Sequence, residues 1–202
     1  NKKGVPLNDF ELMKSVLANQ MKNRNGKAMI RNLVSAFGKF KLGTKDELVI
    51  KVALAIANQD PNIKFDSFTV RTSRKIESNW DIIQRSLLIT GALLQKFGFD
   101  QKKTFPTKEA VIIPIALFIA EGEHFDLSRN VGSERILTAS SYNHVRRDIL
   151  EFIAYCQLLS KWRFWGKQNS KKISAVVTAI RTSTSSNPHE FPITAIKKYM
   201  NK

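Results

Sequence analysis

Cysteine is almost absent: Cys156 is the single one in 202 residues. No intrachain disulfide can form, and zinc sites built on paired cysteines are excluded. A reducing, cytoplasmic setting fits this usage. Long apolar runs are missing too. The longest, residues 111–120, is too short to span a bilayer. No charged-then-apolar signal opens the sequence at Asn1. Acids are scarce: 17 Asp and Glu stand against 33 Lys and Arg, a formal charge of +16. Such an excess suits a polyanionic partner, nucleic acid first and an anionic membrane surface second. The membrane reading is the weaker one, because the cations are spread over many segments rather than one amphipathic face.

Catalytic signals are equally thin. His124, His144 and His189 have no spacing that sets two imidazoles on one helical face. There is no GxxxxGK[ST] phosphate loop and no GxSxG elbow. Glu121 and Glu123 point apart if helical. Asn143-His144 lacks the second histidine that a His/Asn nuclease would need. Cys156 falls on an apolar helical face and reads as a buried, inert thiol. No catalytic residue, metal ligand or cofactor is assigned, and this chain is expected not to be an enzyme by itself.

What is present is a core. The chain is 43% hydrophobic with 13 phenylalanines, which is incompatible with a disordered chain. Leu7-Asn8-Asp9-Phe10-Glu11 reads as a helix start, followed by apolar residues at helical spacing to Met21. Asn23 to Gly26 breaks that helix. A second stripe runs from Met29 to Phe40 and stops at Gly43. Thr44 and Glu47 form a capping box for a helix over 45–57. Residues 59–72 read as a loop or short extended piece. A long helix is expected over 74–97, stopped by Gly98.

Thr107 should cap the next helix, over 108–121, which is apolar on nearly every side and so should be the centre of the fold. Pro114 should kink it or lie in its first turn or two, and Glu121-Gly122-Glu123 should end it. A short helix is expected at 133–137. Ser141 should cap a strong helix over 142–160. Asn169 or Ser170 should cap a helix through Ile180. Residues 183–188 read as a polar linker, and a last short helix ends near Met200. No segment alternates with period two. The expectation is an all-α, irregular bundle of about nine helices around the central one. Residues 1–182 would form the helical domain, with 1–8 closing an upstream domain. Residues 183–202 would be the linker and a helix packed on it.

One stretch combines charge with aromatic surface: Lys161-Trp162-Arg163-Phe164-Trp165-Gly166-Lys167-Gln168-Asn169-Ser170-Lys171-Lys172. It holds two of the three tryptophans and five cations, without an acid. Cations can meet phosphates, and aromatic faces can stack on bases. The same residues would also serve as a core anchor followed by a solvated turn. Residues 151–202 carry nine Lys and Arg against two acids. The candidate nucleic-acid contacts are Arg146, Arg147, Lys161, Arg163, Trp165, Lys167, Lys171 and Lys172. Phosphate contact falls to the cations. Stacking falls to Trp165, while Trp162 continues the preceding helix and is expected to pack inward.

The first dozen residues, Asn1-Lys2-Lys3-Gly4-Val5-Pro6-Leu7-Asn8-Asp9-Phe10-Glu11-Leu12, resemble the N-x-x-G-x-P-L-x-x-x-E-L element of GmrSD-type, ParB-related restriction proteins. Lys3 stands where family members carry a second glycine. Later features follow in the family's order: the 45–57 helix, Thr104-Phe105-Pro106-Thr107 leading into Ile112-Ile113-Pro114, and the aromatic turn from Trp162 to Ser170. The resemblance implies the helical middle of a modification-dependent restriction or phage-defence protein. It implies DNA as partner, and docking to an upstream ParB-like domain of the same protein. It also implies that the nucleotide-hydrolysis motif lies before Asn1 and a His-Asn-His type nuclease after Lys202. A nucleoside triphosphate and a divalent metal would belong to those parts. The alternative is a helical scaffold that docks the nucleotide domain or another protein.

Overall fold

In the computed structural model every residue from Ala110 to Ala120 is buried. A helix buried on all sides can exist only inside a ring of others, and the architecture follows from this. The structure describes residues 15, 21, 25–43, 45–57, 60–61, 69–99, 108–125, 132–161, 169–187 and 189–200. Among them are nine α-helices and no strand. They are α1 (Gly26–Gly38), α2 (Asp46–Ile56), α3 (Val70–Ser78), α4 (Trp80–Lys96), α5 (Lys108–Phe125), α6 (Gly132–Thr138), α7 (Asn143–Lys161), α8 (Asn169–Thr184) and α9 (Ile193–Met200). Helix α5 is the centre. It packs most extensively on α8, α4 and α2, and also touches α6 and α7. Helix α1 lies on α2 and α4, and α9 lies on α8 and α7. Among the described residues no helix is long and apolar enough to cross a membrane.

Helix α2 is nearly as apolar as α5, with Leu48 to Ile50 and Val52 to Ile56 all buried. The residue between them, Lys51, reaches Glu47 one turn earlier and Glu109 of α5, each at 2.8 Å. Burial alone would lower the Lys51 pKa. The hydrogen bonds and charges of Glu109 and Glu47 outweigh it, and the net shift is upward.

Helix α4 presents small residues inward. The Ser86 and Thr90 hydroxyls donate to Ile83 O (3.1 Å) and Ser86 O (2.8 Å), so their burial leaves no donor unmet. At Gly91 an added Cβ would collide with the Phe40 ring and come within 2.9 Å of Phe37. Phe37 and Phe40 themselves meet edge to face, 5.4 Å between centroids. At the other end of the chain, Phe191 packs between Phe118 of α5 (5.2 Å) and Phe152 of α7 (5.4 Å). This contact fastens the segment before α9 onto the bundle.

Several boundaries differ from expectation. The 74–97 helix is two helices broken at Asn79. The Asn79 side-chain amide donates to Lys75 O at 2.8 Å, beside the backbone N–H of the same residue. A local amide that bonds the backbone in this way competes with the helical ladder. Residues 70–72, expected outside a helix, begin α3, where the Thr69 hydroxyl accepts from Thr72 N at 3.1 Å. Asn25 caps α1 in the same manner through Ala28 N (3.1 Å), so Gly26 opens that helix rather than ending one.

Lys45 occupies the N-cap of α2 without a side-chain bond. Helix α5 runs past Glu121-Gly122-Glu123 to Phe125, with Pro114 in its second turn. Ser141 lies inside a 3-10 turn, Ser140–Tyr142, and is not the cap of α7. Helix α8 extends to Thr184, into the expected linker. Gly98 does stop α4. At φ +82° its N–H bonds Gln95 O while Phe99 N–H reaches back to Leu94 O, both at 2.9 Å. This paired geometry is the Schellman arrangement that glycine favours. Of the expected helix over 10–21 only residues 15 and 21 are described, and the caps at Thr44 and Thr107 lie outside the described residues.

Ile115 is fully buried in α5. Ile115→Asp would place a carboxylate among apolar side chains, at a cost of several kcal/mol. Loss of the cooperative thermal transition is the expected result, measured by circular dichroism. A melting curve like that of wild type would show that α5 is not the centre.

Candidate nucleic-acid interface

Helix α7 turns Val145, Ile149, Phe152, Ile153 and Cys156 into the core. Its 3.6-residue period therefore sends Arg147 outward, and Arg147 is exposed while Arg146 is half-buried. The two neighbours do different things. Arg146 donates through Nη1 to Ile136 O of α6 at 2.8 Å, and through Nη2 to the Asn143 side chain. It satisfies a carbonyl near the end of a short helix, where cations are favoured. Arg147 projects into solvent with Nε 3.5 Å from Asp148.

Helix α8 has no acid in its first turn, and Lys171 is exposed there while Lys172 is half-buried. Cations at a helix N-terminus oppose the dipole, so the potential here is positive and unrelieved by the helix itself. One turn on from Lys171, Ala175 opens a shallow trough of about 400 Å³ between α8 and α9. Thr178, Ala179 and Ala195 line it, with Lys198 and Tyr199 at its wall. Lys198 and Tyr199 are both exposed.

The structure does not bring Arg147 to Lys171. A groove of about 460 Å³ is lined by His144, Arg147 and Asp148 of α7, Ser183 of α8, and residues 187–195 with the exception of 188 and 189. Arg147 therefore sits at the C-terminal end of α8. Lys171 lies at the other end, about 18 Å away along the helix axis at 1.5 Å per residue. Arg163, Trp165 and Lys167 lie outside the described residues, as does the Lys161 side chain at the end of α7.

The groove at His144 was not legible in the sequence. It joins residues about forty positions apart, and none of them forms a motif. It gathers an imidazole, two carboxylates, two hydroxyls and a guanidinium. No described hydrogen bond pairs His144 with Asp148, so the groove has no base held by an orienting acid. Among the described residues no three His, Cys, Asp or Glu side chains come together as a metal site. Cys156 is fully buried, and burial pushes its thiol above its ordinary value of 9.0. The nucleophilic thiolate is correspondingly disfavoured. Compared with protein-family models and with curated proteins, the chain matches none.

Two measurements separate structural from surface roles here. Arg146→Ala strands the Ile136 carbonyl and should lower stability by about 1 kcal/mol in urea denaturation. Arg147→Ala should stay within about 0.5 kcal/mol of wild type. Unchanged stability for Arg146→Ala, together with weaker DNA binding, would move that guanidinium to the surface role.

The second measurement concerns pH. Above about pH 9 an unfolded Cys156 ionises while the folded thiol keeps its proton. The unfolded state then binds fewer protons, so stability falls with rising pH by up to about 1.4 kcal/mol per unit. Cys156→Ala should flatten the stability–pH curve in that range. An unchanged curve would mean that the thiol ionises in the folded protein.

Proposed function

We propose that this chain is a DNA-binding helical region of a GmrSD-like restriction or phage-defence protein acting in the cytoplasm. The chain itself is read as non-enzymatic. A nucleoside triphosphate, a divalent metal and the cutting chemistry would belong to other parts of the parent, which would also supply a ParB-like docking partner. The observation that carries this reading is the charge excess together with the position of the acids. Glu47 and Glu109 hold half-buried Lys51, Glu151 holds Lys197 of α9, and Asp60 accepts from Ser174 at 2.6 Å. Acids engaged in these contacts are not available to exposed cations such as Lys171. A surface of that kind favours a polyphosphate partner.

In this reading Arg147, Lys161, Arg163, Lys167, Lys171 and Lys172 contact phosphates, and Trp165 stacks on a base. Arg146 supports the fold of that side. A second reading, a scaffold for a protein partner, is favoured by α7. Leu150, Ala154 and Leu158 lie at i, i+4 and i+8 on its outer face and are all exposed, Leu158 by 61%. An apolar helical stripe in solvent suits a protein neighbour.

The test is a salt titration of DNA binding. Five or so phosphate contacts imply a log–log slope of about −4 to −5. Lys167→Ala, Lys171→Ala and Lys172→Ala combined should weaken binding to all sequences alike and flatten the slope by up to about 3. Trp165→Ala should leave the slope alone and cost about 1–3 kcal/mol on single-stranded substrates. Wild-type affinity and slope in the triple variant would remove the function assigned to this stretch.

A further inference from the structure

The acid-free segment with the most cations lies elsewhere in the chain. Residues 12–45 carry eight Lys and Arg and not one acid. Helix α1 falls within this segment. Its buried side is Gly26, Ile30, Leu33 and Phe37, which pack toward α2 and α4. Its exposed residues are Lys27, Arg31, Asn32, Ser35 and Gly38, continued by Lys39 and Lys41 beyond the helix end. At 100° per residue the side chains from Lys27 to Lys39 form one arc of about 140°. Each of them is a cation, a hydrogen-bonding group or glycine. No large apolar side chain and no acid interrupts the arc.

The other basic helices, apart from the start of α8, carry acids or put a cation to structural use. Helix α7 carries Asp148 and Glu151, and α3 carries Glu77. The α8 arginine, Arg181, donates to Ala55 O. On α1 none of Lys27, Arg31 and Lys39 makes an ion pair among the described residues; Lys39 lies over the Phe40 ring, 4.8 Å from its centroid. Lys27 and Arg31, one turn apart, repel each other. The arrangement costs the isolated chain some stability, and a bound polyanion would relieve it.

We propose that the outward face of α1, with Lys41 and Lys45 of the following loop, is a phosphate-binding surface for duplex DNA, separate from the 161–172 stretch. This rests on the reading of the chain as DNA-binding. Lys27 and Lys39 lie about 18 Å apart along the helix, enough to reach several phosphates of one strand or to cross a groove about 12 Å wide. Asn32 and Ser35 lie within the arc and can hydrogen-bond phosphate oxygens. An anionic membrane is disfavoured, because every large apolar residue of α1 faces the bundle and none is left to insert between lipids.

The test compares wild type with a triple variant, Lys27→Ala, Arg31→Ala and Lys39→Ala, and with a charge-matched control on α3, Arg71→Ala, Arg74→Ala and Lys75→Ala. The probes are a short mixed-sequence DNA duplex and phosphatidylserine vesicles. The α1 triple should lose at least about tenfold in duplex affinity near 0.1 M salt and flatten the salt slope by up to about 3. The α3 control should lose much less. In wild type, bound duplex should slow acetylation of Lys27 and Lys39, a readout that needs no variant to fold.

Failure of wild type to bind the duplex overturns both this proposal and the reading beneath it. Wild-type binding that the α1 triple leaves intact, with no protection of Lys27 and Lys39, overturns the proposal alone. An equal loss in the α3 control shows a general charge effect and does the same. Vesicle binding that depends on α1, without duplex binding, assigns the face to a membrane instead.

Discussion

The unbroken apolar surface of α5 is the constraint on which the bundle depends. An ordinary surface helix buries one stripe and lets its other side meet water. Residues 110–120 have no side for water, so α2, α4 and α8 close around them, with α6 and α7 filling the remaining gaps. Apart from α2, which is itself almost wholly apolar, the enclosing helices must then be amphipathic, and most of their polar side chains lie on the outer faces. The glycine at position 91 and the buried hydroxyls of Ser86 and Thr90 are details of the same demand. They let α4 lie close against its neighbours without stranding a donor.

That division also sorts the charges. Where helices meet, half-exposed acids are matched to cations, and Lys51 is the clearest case, joining α2 to α5 through two carboxylates. Outside, the cations outnumber what is left. The result is a body whose described core carries no charged residue and whose surface charge is unbalanced. Two separate regions express the imbalance: the outward arc of α1 and the start of α8. They belong to opposite parts of the chain, and nothing in their local sequences requires them to act together.

Much of this was legible from spacing and punctuation. The position of α5 followed from its lack of any polar face, and Gly98 followed from a glycine placed after the last apolar position of α4. Asn79 was not legible, because an amide that bonds Lys75 O leaves the hydrophobic period on both sides intact. Gly122 misled in the other direction. One glycine costs a helix about 1 kcal/mol, too little to end it by itself. The candidate site was legible only as a list of cations. Sequence shows that Arg146 and Arg147 are adjacent, but not that the Ile136 carbonyl waits beside one of them. The α1 face was passed over because its cations are spaced among apolar core residues, whereas the 161–172 cations crowd together. Residues 162–168, where sequence placed the aromatic surface, are outside the described part of the structure.

The bond from Arg181 to the carbonyl of Ala55 bears on how the protein is made. Ala55 belongs to the last turn of α2, and the side chain that meets its carbonyl is 126 positions further along the chain. Helix α8, which carries Arg181, also supplies one of the largest walls around α5. At about 5–20 residues per second a ribosome needs roughly 6–25 s to travel that distance. The 59 residues from the end of α5 to the end of α8 take roughly 3–12 s at the same rate, and for that time the nascent chain holds its most apolar helix without the wall that covers it. A sequence that protects its core so late depends during synthesis on whatever binds exposed apolar surface near the ribosome, and truncated products ending before α8 would remain in that state.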